Sequence, residues 1–194
     1  MWGNPIGEMM YETLRYFGGK AAASADFLYA AGGRDDTLGL PKPAWINPYL
    51  KEDADDDGVL DPGEDANGNG VLDGYDYCAK PIMLVLSDIN PSFDSNQLPG
   101  SYFNAGYVGD IAGLNVDTLA GIISTNEGIT GGSRDHFIGR QGAEYDGACT
   151  AKDVTDLAES RGLCPEEPTK QGSYYSASVA YYGNKEDVNT TATG

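Results

Sequence analysis

Between Asp53 and Asp76 the chain reads DADDDGVLDPGE and then at once DANGNGVLDGYD, two twelve-residue units in one register with no residue between them. In the first unit, side-chain oxygens fall at positions 1, 3, 5, 9 and 12 as Asp53, Asp55, Asp57, Asp61 and Glu64, with Gly58 at position 6. The second unit repeats the spacing with Asp65, Asn67, Asn69, Asp73 and Asp76, and puts Gly70 at position 6. Position 7, Val59 in one unit and Val71 in the other, is where a main-chain carbonyl would complete a coordination shell. Alternate residues of a tight loop point inward, and a hard cation of calcium's size takes six to eight oxygens, so the pattern points to about two Ca2+ ions. Magnesium fits less well, because it demands near-octahedral geometry and gives up its water reluctantly. The plain alternative is a solvated acidic linker. Such a linker has no reason to place glycine at the turn and oxygens at the coordinating positions twice.

The spacing is that of an EF-hand loop, but the helices of an EF-hand have no room here. Pro48 stands just before the first unit, and Glu64 runs directly into Asp65. Residues 48–77 are therefore read as inserted tandem loops within a domain of residues 1–194, and they resemble the back-to-back calcium repeats of thrombospondin type 3 modules. That resemblance implies a segment in which ions stand in for an apolar core, loose without calcium and compact with it.

At 194 residues the chain has room for one domain or two. Its 27 Gly and 10 Pro argue for long loops and few long elements. The net charge is −18, and residues 52–76 carry 10 of the 30 acidic residues and none of the 12 basic ones. So acidic a chain is a poor match for nucleic acid. No run approaches the roughly eighteen apolar residues that cross a membrane, and no signal-peptide pattern follows Met1. A signal in a longer precursor and a cytosolic protein both remain open; the calcium units favour export, since acidic loops of this kind fill at extracellular calcium levels. Of three cysteines, Cys149 and Cys164 suit a short disulfide loop worth about 3 kcal/mol in the chain-entropy model, which leaves Cys78 over.

The elements that must position the loops are fewer. Asn4, Pro5 and Gly18 bracket a helix with an apolar stripe of Ile6, Met9, Met10, Leu14 and Phe17. Residues 20–34 begin Ala-rich and read as its extension after a break, and 35–52 as a loop anchored by Trp45 and Tyr49. The continuous apolar run Ile82–Leu86 reads as a strand buried on both faces, as in a parallel sheet, ending at Asp88. Residues 110–124, 153–162 and 171–183 show helical patterns. His136, flanked by Asp135 and near Ser133, lacks the spatial evidence a hydrolase triad requires.

Three stretches, GNPIGEMMYETLRYFGG, YCAKPIMLVLSD and CTAKDVTDLAESRGLCPEEPTKQGSYYSASVAYYG, resemble the von Willebrand factor A-like portion of PilY-type proteins of bacterial type IV pili. The resemblance implies an α/β, Rossmann-like fold, here incomplete, with long Gly-rich loops and the calcium tandem as an insertion. It also places Asn4 and Asp88 near two positions of that family's metal site, whose DxSxS strand is missing from this chain. One apolar strand has no ladder neighbours, so the absent strands are expected from elsewhere in a longer polypeptide or from another chain. The expected protein is non-catalytic, extracellular or surface-bound and pilus-associated, with minor pilins, a complementary part of the same domain, or a host or substrate surface as partners. A structural subunit of an extracellular filament or surface layer, with calcium at its contacts, is the alternative.

Overall fold

The structure, a computed structural model, describes residues 3–42, 45–49, 52–55, 57–65, 68, 70–72, 80–87, 90–132, 134–165 and 168–189. Asn67, Asn69, Asp73, Asp76, Cys78, Asp88, Ser133 and the tail from residue 190 lie outside them. The chain is a mixed α/β protein that divides into two compact units, Met1–Tyr11 with Met83–Glu186, and Glu12–Ile82 with Asp187–Gly194. No helix among the described residues is long and apolar enough to cross a membrane.

Helix α1 (Ile6–Phe17), which begins in the first unit and ends in the second, starts behind Pro5, whose fixed φ suits a first turn. Asn4 is not its cap. The Asn4 main chain exchanges hydrogen bonds with Ser92, at 3.0 and 3.1 Å, and its Nδ2 donates to Ser87 Oγ at 2.9 Å. The cap comes from far along the chain: Asp94 Oδ1 accepts the N–H groups of Gly7 and Glu8, two of the donors a helix start leaves open. This sets the buried face. Gly7 turns toward Asp94, where a Cβ would stand 3.1 Å from Oδ2, and Glu8, Tyr11 and Leu14 follow on the same side. Met9, expected in the buried stripe, is 63% exposed.

The sheet is antiparallel, in the order β2-β1-β3, from β1 (Asp135–Gln141), β2 (Glu144–Asp153) and β3 (Ser160–Leu163). Gly142, at φ +53°, opens the two-residue turn between β1 and β2. Ile138 pairs with Thr150 but Arg140 with Tyr145, so residues 146–149 arch out of the ladder. The buried Lys152 ammonium fills the arch, donating to Ile138 O at 2.7 Å, Thr150 Oγ1 at 2.6 Å and Asp146 Oδ1 at 2.8 Å. The disulfide Cys149–Cys164, expected from spacing, ties this arch to the end of β3.

Helix α3 (Val116–Asn126) is capped by Asn115, whose Oδ1 accepts Thr118 N–H at 2.9 Å. Helix α4 (Tyr175–Lys185) packs on it, with Ser178 Oγ donating to Val116 O at 2.7 Å. Leu98, Val116, Ile138, Val154, Tyr175 and Val179 form the apolar interior, none more than 1% exposed.

Three expectations are corrected. Residues 153–162 form a 3-10 turn, Leu157–Glu159, leading into β3, and not a helix. The extension of α1 is replaced by a 3-10 turn at Ala25–Phe27 and the one-turn α2 (Arg34–Thr37). The run Ile82–Leu86 is neither a strand nor buried: Ile82, Leu84 and Leu86 are 84, 79 and 86% exposed. No backbone hydrogen bond joins residues 81–86 to another described residue. An apolar run states a demand for cover; the three strands that form here are antiparallel and close on one another without it.

Two predictions follow from this packing. Gly139 and Gly162 lie under the Pro168 carbonyl, where a Cβ on either would overlap its oxygen, and Gly162 has φ +73°. Gly162→Ala should cost about 3 kcal/mol or more in urea unfolding. Gly113→Ala, at φ +78° in open space, should cost only about 1 kcal/mol. Burial pushes the Asp94 carboxyl up to about 8, against the two backbone donors that favour its charge, and Glu8 adds repulsion. The folded state thus holds a proton that the unfolded chain releases, so this stability is full below pH 4 and lost as pH rises through 8. Urea unfolding across that range should show wild type losing stability relative to Asp94→Asn.

Candidate metal centre

Among the described residues of the second unit, the buried apolar side chains are Leu14 and Pro48. Polar and stacked contacts hold this unit instead. Glu12 Oε2 accepts from Arg15 Nη1 at 2.9 Å and from Ser24 N–H at 3.0 Å. The Arg15 guanidinium lies over Trp45 at 5.4 Å, which makes Trp45 the anchor its position suggested. Asn189 Nδ2 donates to Phe17 O and to Asn47 Oδ1, both at 3.0 Å.

Two turns of the tandem share one local geometry. Asp53 Oδ2 accepts the N–H of Gly58 at 2.9 Å, and Asp65 Oδ2 accepts that of Gly70 at 2.9 Å. In each case the first-position carboxylate holds the sixth-position glycine. Both glycines need the left-handed conformation this closure imposes, at φ +78° and +73°. The other first-position oxygens also accept backbone donors: Asp53 Oδ1 the N–H of Asp57 at 3.0 Å, Asp65 Oδ1 that of Gly68 at 2.6 Å. The turn reverses the chain tightly enough to bring one oxygen from each of Asp53, Asp55 and Asp57 within 4.8 Å of one another. Asp55 and Asp57 are exposed and Asp53 half-buried.

Glu64 closes the first loop. Its Oε1 accepts Ala54 N–H at 2.8 Å and its Oε2 accepts Asp61 N–H at 2.9 Å, so the twelfth position is drawn back over the second and ninth. Asp61 contributes its carbonyl to Glu64 N–H at 3.1 Å. The structure therefore gathers Asp53, Asp55 and Asp57 into one group and ties Glu64 to the start of the same loop. Val59 and Val71 keep exposed side chains. Of the second loop only Asp65 and Val71 among the expected ligands lie within the described residues.

The oxygen-only donor set and its charge fit a hard divalent cation. Three clustered carboxylates repel one another, and none of the three has an ion pair with Lys or Arg among the described residues. His136 stands apart from this chemistry, its Nδ1 sharing a hydrogen bond of 2.8 Å with Tyr174 Oη.

Some features went unread in the sequence. Gln141-Gly142-Ala143-Glu144 carries a hairpin signal, glycine first in a two-residue turn, that could have revealed β1 and β2. Nothing in the sequence marks Asp94 as the cap of a helix that begins 88 residues earlier.

The loop geometry is testable without any ion. In chelator, Asp53→Ala should speed amide exchange at Gly58 about tenfold while leaving Gly70 unchanged, as read by nuclear magnetic resonance.

Comparison with known proteins gives two matches. The family model described as PilY1 homolog, second domain, matches residues 1–183. The type IV pilus biogenesis factor PilY1 homolog of Xylella fastidiosa (strain Temecula1) is 45% identical over 186 residues. That alignment takes in 94% of this chain but 12% of the relative, so the chain spans about an eighth of the curated protein it matches. No solved structure matches the chain.

Proposed function

The chain belongs to the PilY1-homolog family, as its second domain, and on that premise we propose that it is a calcium-stapled, non-catalytic part of a bacterial surface protein associated with type IV pili. The observation that carries the calcium reading is the repeated closure of Gly58 on Asp53 and Gly70 on Asp65, with Asp53, Asp55 and Asp57 gathered at the first turn. Support comes also from the thin apolar interior of the second unit, which leaves cohesion to other forces.

In this reading one Ca2+ is held by Asp53, Asp55, Asp57, Asp61, Glu64 and the Val59 carbonyl. A second is held by Asp65, Asn67, Asn69, Asp73, Asp76 and the Val71 carbonyl. Bound calcium supplies charge neutralisation and a rigid centre for the insertion, as in thrombospondin type 3 repeats, and no reaction. EF-hand sensors work by opening helix pairs, and no helix of the described residues flanks these loops, so the ions act as a staple and not as a switch.

The pilus association rests on the relative's name, a type IV pilus biogenesis factor. Its natural setting is the cell surface or the extracellular pilus, with protein partners such as minor pilins and with adhesion to a host or other surface as the outcome. On the von Willebrand A-like reading, the exposed run Ile82–Leu86 takes its cover from residues outside this chain, and Asn4 and Asp88 are two contributors to a metal site those residues would complete.

Calorimetric titration of the chelator-treated chain should register about two calcium ions. Asp53→Ala and Asp65→Ala should each remove one. Absence of any binding heat, or two ions retained in both variants, would falsify the staple.

A further inference from the structure

Arg140 on β1 and Arg161 on β3 are direct cross-strand partners, and both guanidinium groups lie over the ring of Tyr102, at 5.0 and 3.8 Å. Arg140 uses Nε on Gly142 O and Nη1 on Tyr102 Oη, each at 2.6 Å. Arg161 is 7% exposed, its Nε is buried with no hydrogen-bond partner, and its guanidinium makes no hydrogen bond to any described residue. Neither arginine has a carboxylate at ion-pairing distance among the described residues. Asp117 acts on Arg161 only through space, with its Oδ1 taken by Tyr175 Oη at 2.8 Å.

This arrangement is costly as it stands. Like charges opposite one another weaken a ladder, and a buried guanidinium without acceptors forfeits its hydration. It is the more unusual in a chain of net charge −18, where carboxylates outnumber arginines many times over. Tyr102 is 50% exposed and Arg140 half-buried, so the site meets solvent through these two side chains while Arg161 lies beneath the Tyr102 ring.

We propose that Arg140, Arg161 and Tyr102 form a docking site for a carboxylate of a partner polypeptide, from an acidic side chain or a chain terminus. A planar carboxylate matches the planar donor fork of arginine and would separate the two charges. A phosphate-bearing polymer fits less well, because the chain's own charge repels a polyanion. Arginine beside an aromatic ring is also the composition of binding hot spots at protein interfaces. The site lies in the first unit and is independent of the calcium reading.

The test uses the full 194-residue chain and the arginine Nε–Hε signals in nuclear magnetic resonance, with Arg161 identified by the ring-current effect of Tyr102. The probes are sodium acetate, a capped peptide with one internal Glu, and a neutral peptide with a free C-terminus, against sodium chloride and inorganic phosphate at matched ionic strength. The expected result is a saturable shift of Arg161 with the carboxylates, weakened about tenfold or more in the half-buried variant Arg140→Gln. The two peptides then distinguish side chain from terminus. Shifts that follow ionic strength alone, equal affinity in Arg140→Gln, or a preference for phosphate would each overturn the proposal.

Discussion

Asp94 accepting the N–H groups of Gly7 and Glu8, Asp53 accepting those of Asp57 and Gly58, and Glu64 accepting those of Ala54 and Asp61 are one interaction used three times. In each an oxygen of an acidic side chain takes backbone donors that no helix or ladder can satisfy. A chain with 27 glycines needs such a device, because glycine loses more freedom on ordering than any other residue and its turns bare their donors to solvent. Hydrogen bonds to a charged group contribute about 1.5–3 kcal/mol, more than bonds between neutral groups, so a few of them can hold turns that packing does not reach. At Asp94 the bond is buried, and the burial that shelters it also penalises its charge.

The two units offset the entropy of ordering in different ways. The first buries Leu98, Val116, Ile138, Val154 and Val179, and adds a disulfide and a buried ammonium. The second has Leu14, a guanidinium stacked on Trp45, and loops closed by their own carboxylates. Apolar burial is non-directional and tolerates exchange among side chains of similar volume. Closure by carboxylates is directional, and each member is tied to one position in the turn. That difference accounts for the regular spacing of residues 53–76 beside the loose patterning of residues 91–132.

What was legible in the sequence is what local chemistry decides. The helices behind Pro5 and behind Asn115, the final helix around Val179, and the turns at Gly58 and Gly70 each depend on residues a few positions apart. The sheet escaped notice because its strands do not alternate apolar and polar residues. Strand β2 is exposed almost throughout, and Lys152, a polar residue by any pattern, is its buried one. The face of α1 was misjudged because Gly7 and Glu8 are buried for the sake of Asp94. Ile82–Leu86 departs from its pattern for the opposite reason: its composition says what it needs, while the described residues around it do not provide it. In the candidate metal centre, the gathering of Asp53, Asp55 and Asp57 matches the spacing, whereas the two hydrogen bonds that Glu64 accepts from Ala54 and Asp61 are legible only in three dimensions.

The arch of residues 146–149 has a further consequence. Oxygens of Asp146, Thr150 and Ile138 converge there on a positive charge much as loop oxygens converge on a metal, but the charge is the Lys152 ammonium, fastened to the same strand. A tethered cation has no dissociation constant: its local concentration is set by the covalent chain, not by the medium. Dilution, chelators and changes in the salt outside cannot remove it. The arch, which ends at Cys149, is therefore a bend centred on a charge that the chain itself supplies.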